Sequence, residues 1–152
     1  MCNLDKMETG IISHIAIAVK DIERTAKQYS ELFGIKMPDI FEEGEETGCS
    51  LEYMGKQINC SYKIAFMRMG IMVLELIQPC SEENVWKDYL DQHGEGVHHL
   101  GFRIRDESNV EFMKEQGISL VQKTENKYGK NYYFDSKDEL GVMIELCQKP
   151  GK

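Results

Sequence analysis

Apolar and polar residues alternate in the same way at two places along this chain. In His14-Ile15-Ala16-Ile17-Ala18-Val19, the residues Ile15, Ile17 and Val19 share one face and His14, Ala16 and Ala18 share the other. In His99-Leu100-Gly101-Phe102-Arg103-Ile104, Leu100, Phe102 and Ile104 lie on one side and His99, Gly101 and Arg103 on the other. A period of two predicts a half-buried strand in each case, and each strand opens its more polar face with an imidazole. The second strand comes after a turn at Gly94-Glu95-Gly96, and Gly101 has no side chain, which leaves room in front of the His99 ring. The same alternation places His98 with Leu100 and Phe102, facing away from His99.

The two histidines lie 85 residues apart, and the segments after them are alike. Lys20-Asp21 and Arg105-Asp106 end the strands, a helix-like stretch comes next, and the stretches stop at Gly34-Ile35 and Gly117-Ile118. The halves also end alike: Met72-Val73-Leu74-Glu75-Leu76-Ile77-Gln78 parallels Val142-Met143-Ile144-Glu145-Leu146-Cys147-Gln148. Each is an apolar strand carrying one glutamate, and the whole pattern is an internal repeat.

Between these landmarks, Ile22, Ala26, Tyr29 and Phe33 recur at helical spacing behind an Asp21 N-cap, and Gly34 supplies the stop. Residues 38–48 are acidic and turn-rich and read as a mobile loop. Strands are predicted over 49–54, 61–69 and 71–77, with turns at Gly55 and Gly70. Ser81 reads as the cap of a linking helix that carries Val85, Trp86, Tyr89 and Leu90, has His93 at its end and stops at Gly94. Ser108-Asn109-Val110-Glu111 reads as a capping box for a helix with Val110, Phe112 and Met113 on its apolar side. Strands over 121–124, 131–135 and 141–147 complete the second half. Each half therefore reads β-α-β-β-β, an α+β arrangement. One domain is expected, with a first module over about 11–79, a linker helix over about 81–93 and a second module over about 97–148. The polar residues 1–10 read as frayed.

Composition narrows the function classes. With 152 residues, 41% hydrophobic and 29% charged, the chain can bury a sizeable core. A formal net charge of −8 with no basic tract argues against general binding of nucleic acid or an anionic membrane, so an anionic ligand would need a local basic pocket. No apolar run approaches the length of a membrane span. Cys2, Cys49, Cys60, Cys80 and Cys147 are odd in number and lack C-x-x-C spacing, which predicts free thiols and a reducing, cytoplasmic setting.

The constellation that can carry chemistry is His14, Glu75, His99 and Glu145. Glu75 shares a face with Val73 and Ile77, and Glu145 with Met143 and Cys147, so in all four strands the more apolar face is the one without the polar candidate. If the apolar faces pack on helices, the four side chains point into one concave space. A carboxylate in so apolar a strand is costly unless it is paired or bound to a cation. Two imidazoles and two carboxylates without a thiolate suit one divalent ion such as Zn, Ni, Co or Mn, held octahedrally with two positions left for water or substrate. A lone strand histidine or glutamate is more often a core or surface residue; the matching positions in both halves set these four apart. His98 and His93 read as structural, and Met67, Met69, Met72 and Met143 as packing.

From His14 to Gln148 the sequence resembles the vicinal oxygen chelate superfamily, which includes glyoxalase I, methylmalonyl-CoA epimerases, extradiol dioxygenases and bleomycin-resistance proteins. The segments most similar to methylmalonyl-CoA epimerases are His14-Ile15-Ala16-Ile17-Ala18-Val19-Lys20-Asp21, Glu75-Leu76-Ile77-Gln78-Pro79, Gly94-Glu95-Gly96-Val97-His98-His99 and Gly141-Val142-Met143-Ile144-Glu145-Leu146. The resemblance implies two βαβββ modules forming a curved mixed sheet around a metal site, and the same four ligands. The sequence departs from the pattern in a second-module loop, where only Tyr128-Gly129-Lys130 and Phe134-Asp135-Ser136-Lys137 remain, and in residues 47–62, which are longer than the pattern expects. No acid on the strand over 61–69 stands where a second base would.

The implied activity is a metal-dependent epimerase or isomerase that abstracts an acidic proton next to a carbonyl, with Glu145 as first choice of base and Glu75 as second. The implied substrate is a small molecule, an acyl-CoA or another α-acidic carbonyl compound. A glyoxalase I-like lactoylglutathione lyase and a non-catalytic binding protein of bleomycin-resistance type are the alternatives. A homodimer is the expected assembly.

Overall fold

The two imidazole strands lie side by side at the middle of one curved mixed sheet. In the computed structural model, which describes residues 4–151, β1 (Ile12–Ala18) pairs antiparallel with β7 (Gly96–Ile104). Each has on its other side, in parallel, the strand that ends its own half: β6 (Met72–Pro79) beside β1, and β10 (Met143–Gln148) beside β7. Beyond these lie β5 (Ser61–Met69) and β2 (Ile40–Gly44) on one flank, and β9 (Gly129–Asp135) and β8 (Ser119–Asn126) on the other. Helix α1 (Ile22–Phe33) carries the chain from β1 to the outer strand β2, and α3 (Ser108–Glu115) carries it from β7 to β8. The result is two β-α-β-β-β units in an α+β fold.

Alternation decides which side of the sheet each residue covers. On the convex side, Ile17 and Val19 join Leu76, Ala65 and Met67 under Ile22 and Ala26 of α1. Leu100, Phe102, Ile104, Ile144 and Leu146 pack in the same way with Val110 and Met113 of α3. Asp21 starts α1 as an N-cap, its Oδ1 accepting the Arg24 N–H at 3.0 Å, and Gly34 ends it at φ 65. The concave side is left for other work. At one end it is filled by α2 (Val85–His93), whose fully buried Trp86 lies between Tyr62 and Tyr133 at ring-centroid distances of 4.8 and 5.5 Å. At the other end it is open.

Several local expectations are corrected. Residues 38–48 are not a free loop: β2 pairs with β5 over its whole length, and a 3-10 turn comes after it at Glu45–Thr47. Its glutamates give β2 poor strand propensity, but the neighbouring edge supplies its hydrogen bonds. The long segment beyond the turn forms a hairpin, β3 (Ser50–Tyr53) and β4 (Lys56–Ile58). The Cys49 N–H bonds to Gly44 O at 3.0 Å, while Leu51 pairs with Thr124 of β8, so this insertion carries the chain from one flank of the curved sheet to the other. Helix α2 is capped by Asn84, not Ser81: Asn84 Oδ1 accepts the Lys87 N–H at 2.8 Å, and Ser81 holds the Asn59 and Ser61 carbonyls instead. The capping box at Ser108 does not form, because the Ser108 N–H goes to Asp106 Oδ1 and the cap position falls on Glu107. A short helix, α4 (Lys137–Leu140), precedes β10. Of residues 1–10, positions 1–3 lie outside the described residues; beyond them Met7 packs on the α3 cluster and the Glu8 N–H bonds to Asn109 Oδ1 at 2.8 Å, so this stretch is anchored, not frayed.

Trp86 fills the closed end of the concave side and packs α2 against β5 and β9 at once. Trp86→Ala is expected to cost about 3–5 kcal/mol in chemical denaturation. A loss below about 1 kcal/mol would show that this end does not hold the two halves together.

Candidate metal centre

Four neighbouring strands, in the order β6-β1-β7-β10, each send one side chain to the same point on the concave face: Glu75, His14, His99 and Glu145. Their register repeats the internal symmetry. Ala16, two residues after His14, pairs with Glu75; Gly101, two residues after His99, pairs with Glu145. Across the central pair His14 faces Gly101 and Ala16 faces His99. Each imidazole therefore stands beside a small residue of the other central strand. A Cβ added at Gly101 would come within 2.0 Å of the His14 ring, so the room that Gly101 provides is taken by His14 and does not open in front of His99.

The ligand atoms of the four residues lie within 4.8 Å of one another, and all four side chains are buried, His99 completely. His14 Nε2 is 3.2 Å from His99 Nε2, 2.7 Å from Glu145 Oε2 and 3.2 Å from Glu75 Oε2. His99 Nε2 is 2.8 Å from Glu145 Oε2 and 3.6 Å from Glu75 Oε1. Burial alone would lower the pKa of His14, but the carboxylates of Glu75 and Glu145 outweigh it and raise it to about 9. Burial pushes Glu145 up, and His99 and His14 more than reverse this, holding it well below the usual carboxylate range. Glu75, farther from the imidazoles, stays raised by burial.

This donor set fits a divalent cation. Two ring nitrogens facing each other at 3.2 Å can share only one proton, and two carboxylates buried beside them repel each other unless positive charge stands between. The spacings match the roughly 3 Å between adjacent ligands at right angles about an ion with bonds of about 2.1 Å. His14, Glu75, His99 and Glu145 could all hold it.

His98 is not where alternation puts it. Ala16 pairs with His99 but Ile17 pairs with Val97, so His98 is the extra residue of a β-bulge. The bulge turns two consecutive imidazoles to the concave side. His98 is buried with Nδ1 2.8 Å from His99 Nδ1, Nε2 3.2 Å from Val85 O, and its ring edge-on to Tyr89 of α2. Burial, with a smaller contribution from the neighbouring His99, pushes its pKa down to about 3, so the ring is neutral.

The centre opens on a cavity of about 530 Å³ in the free end of the concave face. His14, Glu75 and Glu145 reach its wall, with Phe41, Tyr62, Ile64, Phe66 and Val73 making it largely apolar. Arg103, on the His99 face as alternation predicts, and Lys149 supply positive charge. A third carboxylate, Glu43 on β2, also lines it and accepts the Thr47 hydroxyl at 2.8 Å. Glu43 is absent from the candidates above because its segment has the composition of a loop; the period-two pair Phe41 and Glu43, both on the cavity side, is the signal that could have found it. Met67 and Met143 are core residues, as expected. Cys49, Cys60, Cys80 and Cys147 are free thiols. No helix among the described residues is long and apolar enough to cross a membrane.

The raised pKa of His14 gives a pH dependence with a definite sign. In the metal-free protein its ion pairs contribute stability that is complete below the ordinary value of 6.5 and is lost as pH rises through about 9. A cation bound here needs the same nitrogen without its proton. Apparent zinc affinity, measured by chelator competition and corrected for the chelator's own protonation, should rise from pH 6.5 to about 9 and then level off. A flat profile would show that His14 is not a ligand.

A family model described as the Glyoxalase/Bleomycin resistance protein/Dioxygenase superfamily matches residues 13–134. The chain is 27% identical over 144 residues to the uncharacterized protein YqjC of Bacillus subtilis, covering 92% of this chain and 93% of that one. It is 24% identical over 145 residues to the ethylmalonyl-CoA/methylmalonyl-CoA epimerase of Cereibacter sphaeroides, covering 91% and 98%. A variant of the Streptomyces coelicolor methylmalonyl-CoA epimerase, solved in complex with 2-nitronate-propionyl-CoA, shares the fold with a TM-score of 0.64 at 22% identity, covering 95% of this chain and 97% of that one. With a match that takes in both histidine strands and most of both repeats, the chain belongs to the glyoxalase/bleomycin resistance protein/dioxygenase superfamily.

Proposed function

We propose that this protein is a divalent-metal-dependent epimerase that moves the proton on the carbon between a thioester carbonyl and a carboxylate, with an acyl-CoA of the methylmalonyl-CoA type as substrate. The observation that carries the proposal is the placement of the buried His14, Glu75, His99 and Glu145 cluster in the wall of a largely apolar cavity of about 530 Å³, the size of a small-molecule site. The relatives named as methylmalonyl-CoA epimerases support the choice of substrate class. Arg103 and Lys149 offer an anionic substrate local positive charge that the chain as a whole, at −8, does not.

A divalent ion in this centre would supply Lewis-acid stabilisation of the negative charge that develops on the substrate's carbonyl oxygen. Glu145 is the base. Both carboxylates of the cluster line the cavity, and Glu75 is the second choice. Glu145 takes the proton from the carbon, and the electron pair of the broken C–H bond delocalises into the adjacent carbonyl. Glu43 reaches the same cavity from the outer strand β2 and is the acid that returns a proton to the opposite face of that carbon. Phe41, Ile64 and Phe66 give this part of the cavity an apolar wall.

Incubation with methylmalonyl-CoA in deuterated buffer should place deuterium on the carbon between the carbonyls and interconvert the two epimers. Glu145→Gln keeps size and a weak oxygen ligand, and should slow exchange by about 10²–10⁴-fold. Glu43→Gln should lose epimerisation while one epimer still exchanges its proton. Metal-loaded protein that leaves methylmalonyl-CoA unlabelled but turns over a hemithioacetal would replace this reading with the lyase.

A further inference from the structure

We infer that the two bulged residues of the central strands, Ser13 and His98, are positioning residues that hold the protons of His14 and His99 on Nδ1, so that both rings present Nε2 to a bound cation. The last step rests on the metal reading; the proton placement does not.

For His98 a backbone carbonyl fixes the proton. Val85 O can only accept, so the His98 Nε2 that lies 3.2 Å from it carries the proton of this fully buried ring, whose neighbour on Nδ1 is a second imidazole and not a carboxylate. His98 Nδ1 is then a bare lone pair. Its partner at 2.8 Å, His99 Nδ1, must donate, so the nitrogen left for a cation is His99 Nε2. That nitrogen is the one that meets His14, Glu145 and Glu75. The opposite assignment sets a lone pair against the Val85 carbonyl and drives a proton into the point where the ligands converge. The carbonyl itself is fixed, because Val85 opens α2, its N–H bonds to Gln122 Oε1 at 2.9 Å, and Asn84 caps the turn.

The first half has the same device in another chemistry. Ile12 pairs with Phe102 and His14 with Gly101, so Ser13 is the extra residue of a bulge in β1, as His98 is in β7. Ser13 Oγ donates to Gly101 O at 3.0 Å, and its free lone pair stands 3.1 Å from His14 Nδ1, which therefore donates to it. In each central strand the bulged residue immediately before the histidine turns to that ring's Nδ1, and in each the relay ends on a backbone carbonyl. Two bulges at matching places with matching hydrogen bonds give these residues a common task that packing alone does not require.

Long-range proton–nitrogen NMR of the metal-free protein reads the ring protons directly. His14 and His99 should carry Nδ1–H and His98 Nε2–H. Zinc affinity by chelator competition should fall about 10–100-fold in His98→Leu, which cannot accept, and recover most of that loss in His98→Asn, whose Oδ1 can. Ser13→Ala should lose the hydrogen bond on His14 Nδ1 and leave the ring protons of His99 unchanged. His99 lacking a proton on Nδ1 in the wild type, or His98→Leu binding zinc as tightly as the wild type, would overturn the inference. If His98→Leu does not fold, the wild-type tautomers still decide it. A wild type with the expected tautomers that takes up no ion overturns the metal reading and not the proton placement.

Discussion

Four ionisable side chains buried within 4.8 Å of one another are the constraint on which the rest of this structure depends. Removing two carboxylates and two imidazoles from water is unfavourable unless their charges are balanced locally. The fold meets this by putting all four on adjacent central strands, where the register is fixed by hydrogen bonds on both sides. The small residues Ala16 and Gly101 let the strands bring two rings together nearly at right angles, and the bulges at Ser13 and His98 aim supporting groups at them. The apolar faces of the same strands are committed to α1 and α3, so a slip of one residue would exchange core for centre.

The concave face is divided between stability and chemistry. Trp86, with the β3-β4 hairpin, closes one end in an apolar cluster that includes Tyr62, Tyr133 and Met143. Tyr62 and Tyr133 also line the cavity, so the same two rings bound both the core and the site. Rigid packing behind the centre and an open cavity before it give the buried charges a single direction in which to meet a ligand. Helix α2, which joins the halves in the chain, also holds the Val85 carbonyl against His98.

Much of this is legible in the sequence, for physical reasons that also explain what is not. The alternation of Ile15, Ile17 and Val19 and of Leu100, Phe102 and Ile104 reports burial against a helix, so the central strands and the side on which His14 and His99 stand can be read directly. Matching positions in two halves tie Glu75 and Glu145 to them. Alternation fails at His98, since a bulge breaks the period of two and nothing in the local sequence marks it. It fails at β2 because Glu42 and Glu43 hide a strand whose existence depends on β5, and Glu43 is hidden with it. The hairpin over Ser50–Ile58 reads as strand and turn, but its partner β8 lies far along the chain, and long-range pairing leaves no local trace.

That these four side chains hold a cation between them is the central claim. The direct measurement is the divalent metal content, by elemental analysis, of wild-type protein purified without chelator and of Glu75→Ala prepared in the same way. About one ion per chain in the wild type, and little in a variant that keeps the fold but lacks one of the four ligands, is the expected result. Equal metal in both, or none in the wild type after incubation with zinc, nickel, cobalt and manganese, would contradict it.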